Sequence, residues 1–423
     1  LKKDNLFLGL KGKKYDGNRL IYKALKKGAG CVVSTLSFKK KNKKIIKIDN
    51  SISFLSRFAR FKRENTSARI IAITGSAGKT SLKNLIKNLL NNFGKTHSSP
   101  KSFNNHLGVP ISLSNLNFED KFGVFEVGMS RAGEIKSLTK LIKPHIGVIT
   151  NIGEAHLENF KNIYGIAKAK SEIIENIETG GTVILNRDDK FFNYLSKKAK
   201  SYNLKVSTFG RHKKSDIQFQ KIIKKGGTSR IFVIIDSQII DFEIKDLNIY
   251  NILATLAVLK ELQINFSKIT NKFKDQDSLE GRGKKYSITR YKKKFRLIDE
   301  SYNANPLSVK NAINRLSSIK KEKFKKYLIL GDMLELGSKS KKYHEDLSKV
   351  INNSDIDKVF IKGNKTLFTY KHIHKDKRGN ILQENEDIDL SLSKMISNDD
   401  YLMIKGSNAT GLNNFSKKMI KGI

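Results

Sequence analysis

The segment that most restricts the fold of this chain lies around residue 75. Residues 68–74 are mostly apolar, as expected of a strand buried on both faces of a parallel sheet. The loop 75–80 follows, with the sequence Gly-Ser-Ala-Gly-Lys-Thr, and in residues 81–90 the apolar side chains recur at helical spacing. A buried strand, a glycine-containing loop and a helix in this order predict a wound α/β sheet.

This loop has the residue types that bind phosphate groups. It opens with four small residues, Gly75, Ser76, Ala77 and Gly78. Small side chains let backbone N–H groups approach phosphate oxygens at a helix N-terminus, where the helix dipole also favours an anion. Lys79 is expected to contact the terminal phosphates, and Thr80 to ligate Mg²⁺. The generic motif has a further glycine where this chain has Ile73, so the flanking strand and helix add weight that the pattern alone lacks.

The length of the chain sets the expected number of domains. Its 423 residues are more than one hydrophobic core usually holds, and we predict three domains, at 1–66, 67–278 and 279–423. No stretch reaches the roughly 18 apolar residues of a membrane span, and the N-terminus lacks the apolar region of a secretory signal. We therefore expect a cytoplasmic protein without membrane insertion. The single cysteine, Cys31, has apolar neighbours that predict an unreactive position in a buried strand.

The formal charge of +42 raises the hypothesis of nucleic-acid binding. The basic residues, however, occur along the whole chain in short runs such as 292–294, and lysines greatly outnumber arginines, which read bases better. A compositional drift toward lysine, asparagine and isoleucine explains this pattern more simply. We expect no nucleic-acid partner, although such a field attracts anionic substrates.

Strands and helices alternate along most of the chain, which predicts the α/β class. The central domain is expected to form a mostly parallel wound sheet around the phosphate loop, flanked by a small N-terminal α/β domain and a C-terminal Rossmann-like α/β domain. Its further strands are predicted at 123–127, 146–150 and 182–186, and its further helices at 133–141, 163–178 and 247–262. The strand 295–299, the helix 307–317 and the strand 327–330 indicate the C-terminal domain.

Several polar side chains follow predicted strands, where open α/β sheets bind their ligands. Glu126 ends a buried strand, and it is either an ordinary strand-end acid or a Mg²⁺ ligand shared with Thr80. His156 follows the next strand by a short loop, where a histidine is either solvated or a metal ligand. Asp299 is a third strand-end acid, and His344 is interpreted as a surface residue of a helix.

Longer segments of the chain resemble the Mur ligases of peptidoglycan synthesis, over essentially its whole length. The similar segments are 16–17, 102–110 (SFNNHLGVP), 133–135, 155–160 (AHLENF), 299–306 (DESYNANP) and 331–337 (GDMLELG). Within the family, the chain is most similar to the branch that joins D-alanyl-D-alanine to UDP-N-acetylmuramoyl-tripeptide. By this resemblance, the chain would begin at Leu1 within the first strand pair of the family's N-terminal domain, which binds the UDP-muramoyl substrate.

The resemblance implies an ATP-dependent, ADP-forming ligase that uses two Mg²⁺ ions and an acyl-phosphate intermediate. Lys170 would be carbamylated by CO₂, which turns a cation into a carboxylate-like ligand for the second Mg²⁺ beside His156 and Glu126. Without the resemblance, Lys170 reads as one more lysine on a helix face, and Lys168 is the competing candidate.

The resemblance also implies roles for residues outside the phosphate loop. Asn251 would face the adenine, Arg282 the phosphates and Asp299 the ribose. The residues expected near the muramoyl peptide, the nucleotide or the incoming dipeptide are Asn104, Asn105, Asn303, Asn305 and Lys405. Since Arg282 and Asp299 belong to the third predicted domain, the resemblance also predicts that this domain closes on the nucleotide.

Alternatives to this function remain at this point. One is another Mur-type amide ligase, which adds a diamino acid or resembles folylpolyglutamate synthase. A second, from a different class, is a phosphate-loop ATPase that binds nucleic acid. We expect a monomer whose partners are the UDP-muramoyl tripeptide and D-alanyl-D-alanine.

Overall fold

The computed structural model describes residues 1–12, 14–38, 42–225, 228–320, 323–383 and 385–422. It contains a three-stranded, a nine-stranded and a six-stranded sheet, in this order along the chain. The predicted α/β class is confirmed, and each sheet lies within one of the three predicted domains. The boundaries of those domains remain a prediction.

The first sheet is small and parallel. Its strands are β1 Leu6–Leu8, β2 Cys31–Ser34 and β3 Ile45–Lys47, and its helices are α1 Ile21–Lys26 and α2 Ser51–Glu64. Arg63, near the end of α2, attaches this unit to the next. Its Nε donates to Ile142 O at 2.6 Å, and its Nη2 donates to Lys143 O at 2.5 Å and pairs with Glu178 at 3.2 Å. Because Arg63 is buried, these partners compensate the loss of its hydration.

The central sheet has the order β12-β11-β10-β9-β8-β7-β4-β6-β5. Its strands are β4 Arg69–Thr74, β5 Thr96–Ser98, β6 Phe122–Glu126, β7 Ile146–Ile149, β8 Thr182–Asn186, β9 Lys205–Gly210, β10 Ile217–Lys225, β11 Thr228–Ile235 and β12 Gln238–Ile244. Its helices are α3 Lys79–Leu90, α4 Gly108–Ser114, α5 Glu134–Ile142, α6 Ile163–Lys170, α7 Phe192–Ser201 and α8 Ile249–Glu261. Strands β4 to β10 are parallel, and β11 and β12 extend the sheet as an antiparallel meander.

Strand β4 lies inside the central sheet and is covered on both faces. Ile71 and Ile73 belong to one core with α3 and α8, whereas Ile70 and Ala72 belong to the core on the opposite face. This explains the continuous apolar run, which a half-exposed strand would lack. After β4 the chain forms β5 and β6 on one side of this strand, and it then crosses to form β7 on the other side. Such a change of direction opens a crevice at the carboxyl ends of the strands.

The C-terminal sheet has the order β13-β14-β18-β15-β16-β17, parallel except for the hairpin of β13 and β14. Its strands are β13 Lys284–Arg290, β14 Lys293–Glu300, β15 Lys326–Gly331, β16 Lys358–Lys362, β17 Arg378–Leu382 and β18 Tyr401–Lys405. Its helices are α9 Pro306–Ser317, α10 Ser340–Asn352, α11 Thr366–His372, α12 Asn385–Met395 and α13 Leu412–Lys421. None of the helices in the described parts of the chain has the length and apolar character to cross a membrane.

The prediction that His344 lies on the surface is wrong, because its side chain is fully buried. Its Nε2 accepts a hydrogen bond from Met333 N at 3.1 Å, and its Nδ1 donates to Ser340 O at 2.8 Å. Burial lowers the pKa of the imidazole and favours this neutral form. The prediction for Cys31 is met only in part, since the side chain is on β2 but half-buried, and burial raises the pKa of the thiol.

His145 makes the stability of the central sheet depend on pH. Its Nδ1 accepts a hydrogen bond from Ile70 N at 2.9 Å, and burial, with Arg63 and Arg69 nearby, lowers its pKa to about 4. The unfolded chain takes up a proton near pH 6.5, so stability is full above that pH and is lost as the pH falls toward 4. We expect the free energy of unfolding to drop by about 3 kcal/mol over this range.

Denaturant titrations at pH 7.5, 6.0 and 5.0 measure this effect. His145→Asn should be less stable at pH 7.5 but should lose less further stability on acidification. His372→Asn, a change at an exposed histidine, should follow the parent protein. Equal acid sensitivity of the His145 variant and the parent would contradict the assignment.

Candidate active site

Three neighbouring strands of the central sheet end at one cleft of about 800 Å³. Strand β4 leads into the loop 75–80, β6 ends at Glu126, and β7 leads to Thr150 and Asn151. Most of the predicted site residues line this cleft: Ser76, Ala77, Gly78, Lys79, Thr80, Asn104, Asn105, Glu126, His156, Asn251, Arg282, Asn303, Asn305 and Lys405. Three others, Gly75, Lys170 and Asp299, are not part of its lining.

The conformation of the phosphate loop depends on its glycines. Gly75 has φ 145°, and a Cβ atom there would come within 1.9 Å of the Thr150 hydroxyl. Gly78 has φ 86° and is the N-cap of α3. A residue after β7 forms hydrogen bonds to the loop. Asn151 accepts hydrogen bonds from Ser76 N and Ala77 N at 3.0 and 2.9 Å.

Lys79 begins α3 and reaches back over the loop. Its Nζ donates to Gly75 O at 2.7 Å. Burial lowers the pKa of this ammonium group, Glu126 opposes the shift, and Arg282 adds to it. The loop therefore places a cation beside backbone N–H groups at a helix N-terminus, an arrangement suited to phosphate oxygens.

Thr80 and Glu126 form a buried pair of oxygen donors. The Thr80 hydroxyl donates to Oε2 of Glu126 at 2.7 Å, and Nδ2 of Asn104 donates to Oε1 of the same carboxylate at 2.8 Å. Mg²⁺ prefers oxygen ligands and commonly takes one or two carboxylates together with substrate phosphates. The pair is suited to binding Mg²⁺, because Thr80 ends the phosphate loop and lies in the first turn of α3.

The predicted second metal site is not complete with unmodified side chains. In the described ranges, no three His, Cys, Asp or Glu side chains lie close enough to hold a metal ion. His156 lines the cleft, and its Nδ1 lies 2.6 Å from Oε2 of Glu335, without the alignment of a hydrogen bond. Even so, this contact lowers the pKa of Glu335.

Lys170 is buried at the C-terminal end of α6. Burial, together with the nearby Lys79, holds the pKa of its amine well below the usual range. Within the part of the chain that the structure describes, no carboxylate forms an ion pair with it. Its charged form is therefore unfavourable in this position.

The C-terminal part of the chain supplies the opposite wall of the cleft. Arg282 Nη2 and the Tyr302 hydroxyl each lie 3.2 Å from the hydroxyl oxygen of Ser102, and the Arg282 guanidinium stacks 4.1 Å from the centre of the Tyr302 ring. Asn305 Nδ2 donates to Ser76 O at 3.2 Å. Arg282 and Asn305 thus already meet the central part of the chain.

Asp299 and Lys405 act mainly as supports for the wall. Asp299 accepts hydrogen bonds from Gly281 N at 2.7 Å and from the Ser301 hydroxyl at 2.6 Å, whereas its neighbour Glu300 lines the cleft. Lys405 donates to Asn303 O, and burial lowers the pKa of its ammonium group.

The two remaining asparagines have different surroundings. Asn105 Oδ1 accepts a hydrogen bond from Gly108 N at 2.8 Å near the start of α4. Asn251, on α8, lies against Gly78, where an added Cβ would be 3.0 Å from its Oδ1. Asn251 is therefore beside the phosphate loop, on the side of α8.

Sequence reasoning predicted Arg282 and Asn305 but missed other residues that join the two walls. One is Ser102, and another is Asp246, which pairs with Arg315 at 2.6 Å and with Lys285 at 2.7 Å. Although burial favours the neutral acid, these two cations lower the pKa of Asp246. Nothing in the local pattern around any of these residues indicated such contacts, because their partners are distant in sequence.

Comparisons with known proteins agree over most of the chain. Residues 73–259 match the Mur ligase middle domain, and residues 287–408 match the Mur ligase, glutamate ligase domain. The UDP-N-acetylmuramoyl-tripeptide–D-alanyl-D-alanine ligase of Rickettsia prowazekii is 32% identical, over 97% of this chain and 91% of its own length. The ligase of the same name from Buchnera aphidicola (subsp. Acyrthosiphon pisum) is 33% identical, over 98% of this chain and 90% of its own.

Solved structures show the same fold. MurF from Acinetobacter baumannii superposes with a TM-score of 0.85 at 24% identity, over 99% of this chain and 91% of that one. MurF ligase from Thermotoga maritima, in complex with ADP, superposes with a TM-score of 0.84 at 24% identity, over 100% of this chain and 95% of that one. With both domain matches and a relative 32% identical over nearly its full length, the chain belongs to the Mur ligase family.

Proposed function

We propose that the chain joins D-alanyl-D-alanine to UDP-N-acetylmuramoyl-tripeptide, with hydrolysis of ATP to ADP and phosphate. The observation that carries this proposal is the cleft in which the phosphate loop and the Thr80–Glu126 pair face Arg282 from the C-terminal part. The names of the relatives supply the substrates, since those proteins match over nearly the whole chain.

The reaction has two steps. An oxygen of the tripeptide carboxylate attacks the γ-phosphorus of ATP, the bond to the β-phosphate oxygen breaks, and ADP leaves. The amine of D-alanyl-D-alanine then attacks the acyl carbon, phosphate leaves with the acyl oxygen, and the amine loses a proton. Lys79, the loop N–H groups and Arg282 bind the phosphate oxygens, so positioning and electrostatics carry the catalysis.

Thr80 and Glu126 would hold one Mg²⁺ together with phosphate oxygens of the nucleotide. The bound ion supplies positive charge to the transferring phosphoryl group. Asn104 supports this pair, because its amide fixes the other oxygen of the Glu126 carboxylate. Asn251 would contact the adenine, and Asp299 would reach the ribose only after a rearrangement of its present hydrogen bonds.

We further propose that Lys170 is carbamylated. The lone pair of its neutral amine attacks the carbon of CO₂, a bond from nitrogen to carbon forms, and one amine proton passes to water. The product is an anion. Together with His156 and Glu126, it would hold a second Mg²⁺. The burial of Lys170 without a carboxylate partner in the described residues supports the modification, because it favours the neutral amine that reacts.

The remaining predicted residues have less specific roles. Asn105 would lie near the muramoyl peptide, and Asn303, Asn305 and Lys405 near the nucleotide or the incoming dipeptide. We also propose that the protein acts in the cytoplasm, as a monomer.

Release of phosphate from ATP with different pairs of substrates tests the function. We expect release, and the pentapeptide product by mass spectrometry, only when the UDP-muramoyl tripeptide and D-alanyl-D-alanine are both present. Equal turnover of the UDP-muramoyl dipeptide with meso-diaminopimelate or L-lysine would favour a diamino acid-adding ligase instead. Stimulation of ATP hydrolysis by duplex DNA in a salt-sensitive manner would favour the nucleic-acid alternative.

A further inference from the structure

Lys83 is a buried lysine that the steps above do not use. It lies on α3, one turn after Lys79, and its side chain is 0% exposed. A buried ammonium group is unfavourable unless hydrogen-bond acceptors surround it. The acceptors that Lys83 reaches therefore indicate what it does.

Lys83 binds one turn of backbone between β5 and α4. Its Nζ donates to Ser99 O at 2.6 Å and to Lys101 O. Lys101 has φ 46°, in the left-handed region that a residue with a side chain seldom occupies. Burial lowers the pKa of Lys83 to about 8, with Glu126 opposing, so the group is mainly an ammonium ion at neutral pH. One cation thus holds two carbonyls of an unfavourable turn.

The residue after this turn joins the two walls of the cleft. The Ser102 hydroxyl oxygen lies 3.3 Å from the Thr80 hydroxyl, at the proposed Mg²⁺ ligands. It also accepts hydrogen bonds from Arg282 and Tyr302 of the C-terminal part, each at 3.2 Å. A shift of the turn would therefore move the point at which the C-terminal wall meets Thr80.

We propose that Lys83 is a positioning residue, which fixes the turn 99–101 so that the Ser102 hydroxyl receives the C-terminal wall beside Thr80. Lys83 acts through Ser102 and touches neither the nucleotide loop nor the substrates. The expected effect on the rate of ligation rests on the proposed function. The expected effect on the contact between the C-terminal wall and Ser102 does not depend on it.

Lys326 provides a matched control. Its side chain on β15 is likewise 0% exposed, and its Nζ donates to the backbone carbonyls of Ser317 and Ile319 at 2.9 and 2.5 Å, with Asp355 Oδ2 at 3.9 Å. Lys326 is not part of the cleft lining. Lys326→Met also removes a buried ammonium group from two backbone carbonyls, at a position outside the cleft lining.

Steady-state kinetics with a double-mutant cycle test the positioning role. We expect Lys83→Met to lower kcat about 100-fold, the size of effect that a misplaced reacting group produces. Its Kd for ADP, measured by calorimetry, should change less than about threefold, because the phosphate loop is intact. Adding Ser102→Ala to the Lys83→Met enzyme should lower kcat no further, because both changes disturb the same contact. The effects of Lys326→Met and Ser102→Ala on kcat should multiply, because these two residues act independently.

Hydrogen exchange measures the docking without a turnover assay. Lys83→Met should speed amide exchange in residues 99–104, 281–283 and 301–303, and Lys326→Met only around residues 317–328. Hydrogen exchange therefore tests the positioning role of Lys83 separately from the proposed function, since the expected change in exchange does not require D-alanyl-D-alanine to be the substrate.

Two results would overturn the proposal. One is multiplication of the Lys83→Met and Ser102→Ala effects on kcat. The other is unchanged exchange in 281–283 and 301–303. If Lys83→Met does not fold, Lys83→Gln replaces it in every comparison, because its amide keeps two donors on a shorter side chain.

Discussion

Replacement of Lys170 by alanine is expected to lower the rate of ligation by at least about 10³-fold, because a metal ligand contributes several kcal/mol to phosphoryl transfer. Formate or acetate should restore part of the rate, since a small carboxylate can occupy the space left by the carbamate. Lys170→Ala should not lose thermal stability through the charge itself, because the parent buries this amine without an ion-pair partner in the described residues.

Phosphate release at increasing concentrations of Mg²⁺ and of formate measures this prediction. Lys168→Ala is the matched control, because Lys168 lies on the same helix, α6, with its side chain exposed. The control should keep the parent rate. A Lys170→Ala enzyme as fast as the parent would remove the second-metal hypothesis. A slow enzyme that no carboxylate rescues, and whose fold is intact, would argue against the carbamate in particular.

Lys79→Met is expected to lower kcat/KM for ATP by about 10³-fold, because it removes a positive charge placed next to the transferring phosphoryl group. The methionine keeps the apolar stem of the lysine, so packing at the start of α3 is preserved. The folded protein should be as stable as the parent or more so, since burial disfavours the ammonium group in the absence of phosphate.

Steady-state kinetics and calorimetry with ADP measure the loss of rate and of affinity in this variant. Lys87→Met, two turns further along α3, is the control for a change of charge on the same helix and should differ from the parent less than about threefold. A Lys79→Met enzyme within tenfold of the parent would show that the loop N–H groups suffice without the lysine.

Local pattern was enough to predict the phosphate loop and the strand before it. The strand predicted at 68–74 is observed as β4 Arg69–Thr74, and the helix predicted at 81–90 is observed as α3 Lys79–Leu90. Both predictions succeed because hydrophobic periodicity reports burial within one element. Glu126 could be placed at the cleft in the same way, since the carboxyl ends of parallel strands share one edge of a sheet.

Local pattern failed where burial and polarity disagree. His344 was predicted to lie on the surface because its side chain is polar, and the local pattern did not single out Lys83, yet both side chains are fully buried. Each is compensated by backbone groups of another segment, Ser99 for Lys83 and Met333 for His344. A polar side chain is stable inside a protein when such partners exist, and only the fold brings them within reach.

The sequence by itself determined the α/β class, the phosphate loop and, through motifs spread over the chain, the resemblance to the Mur ligases. The tertiary structure decided which side chains face each other across the cleft. Arg282 and Tyr302 reach Ser102 from 180 and 200 residues away, and His156 meets Glu335. The reason is physical: the pattern within an element depends on neighbours three or four residues away, whereas contact between two walls depends on how separate sheets pack.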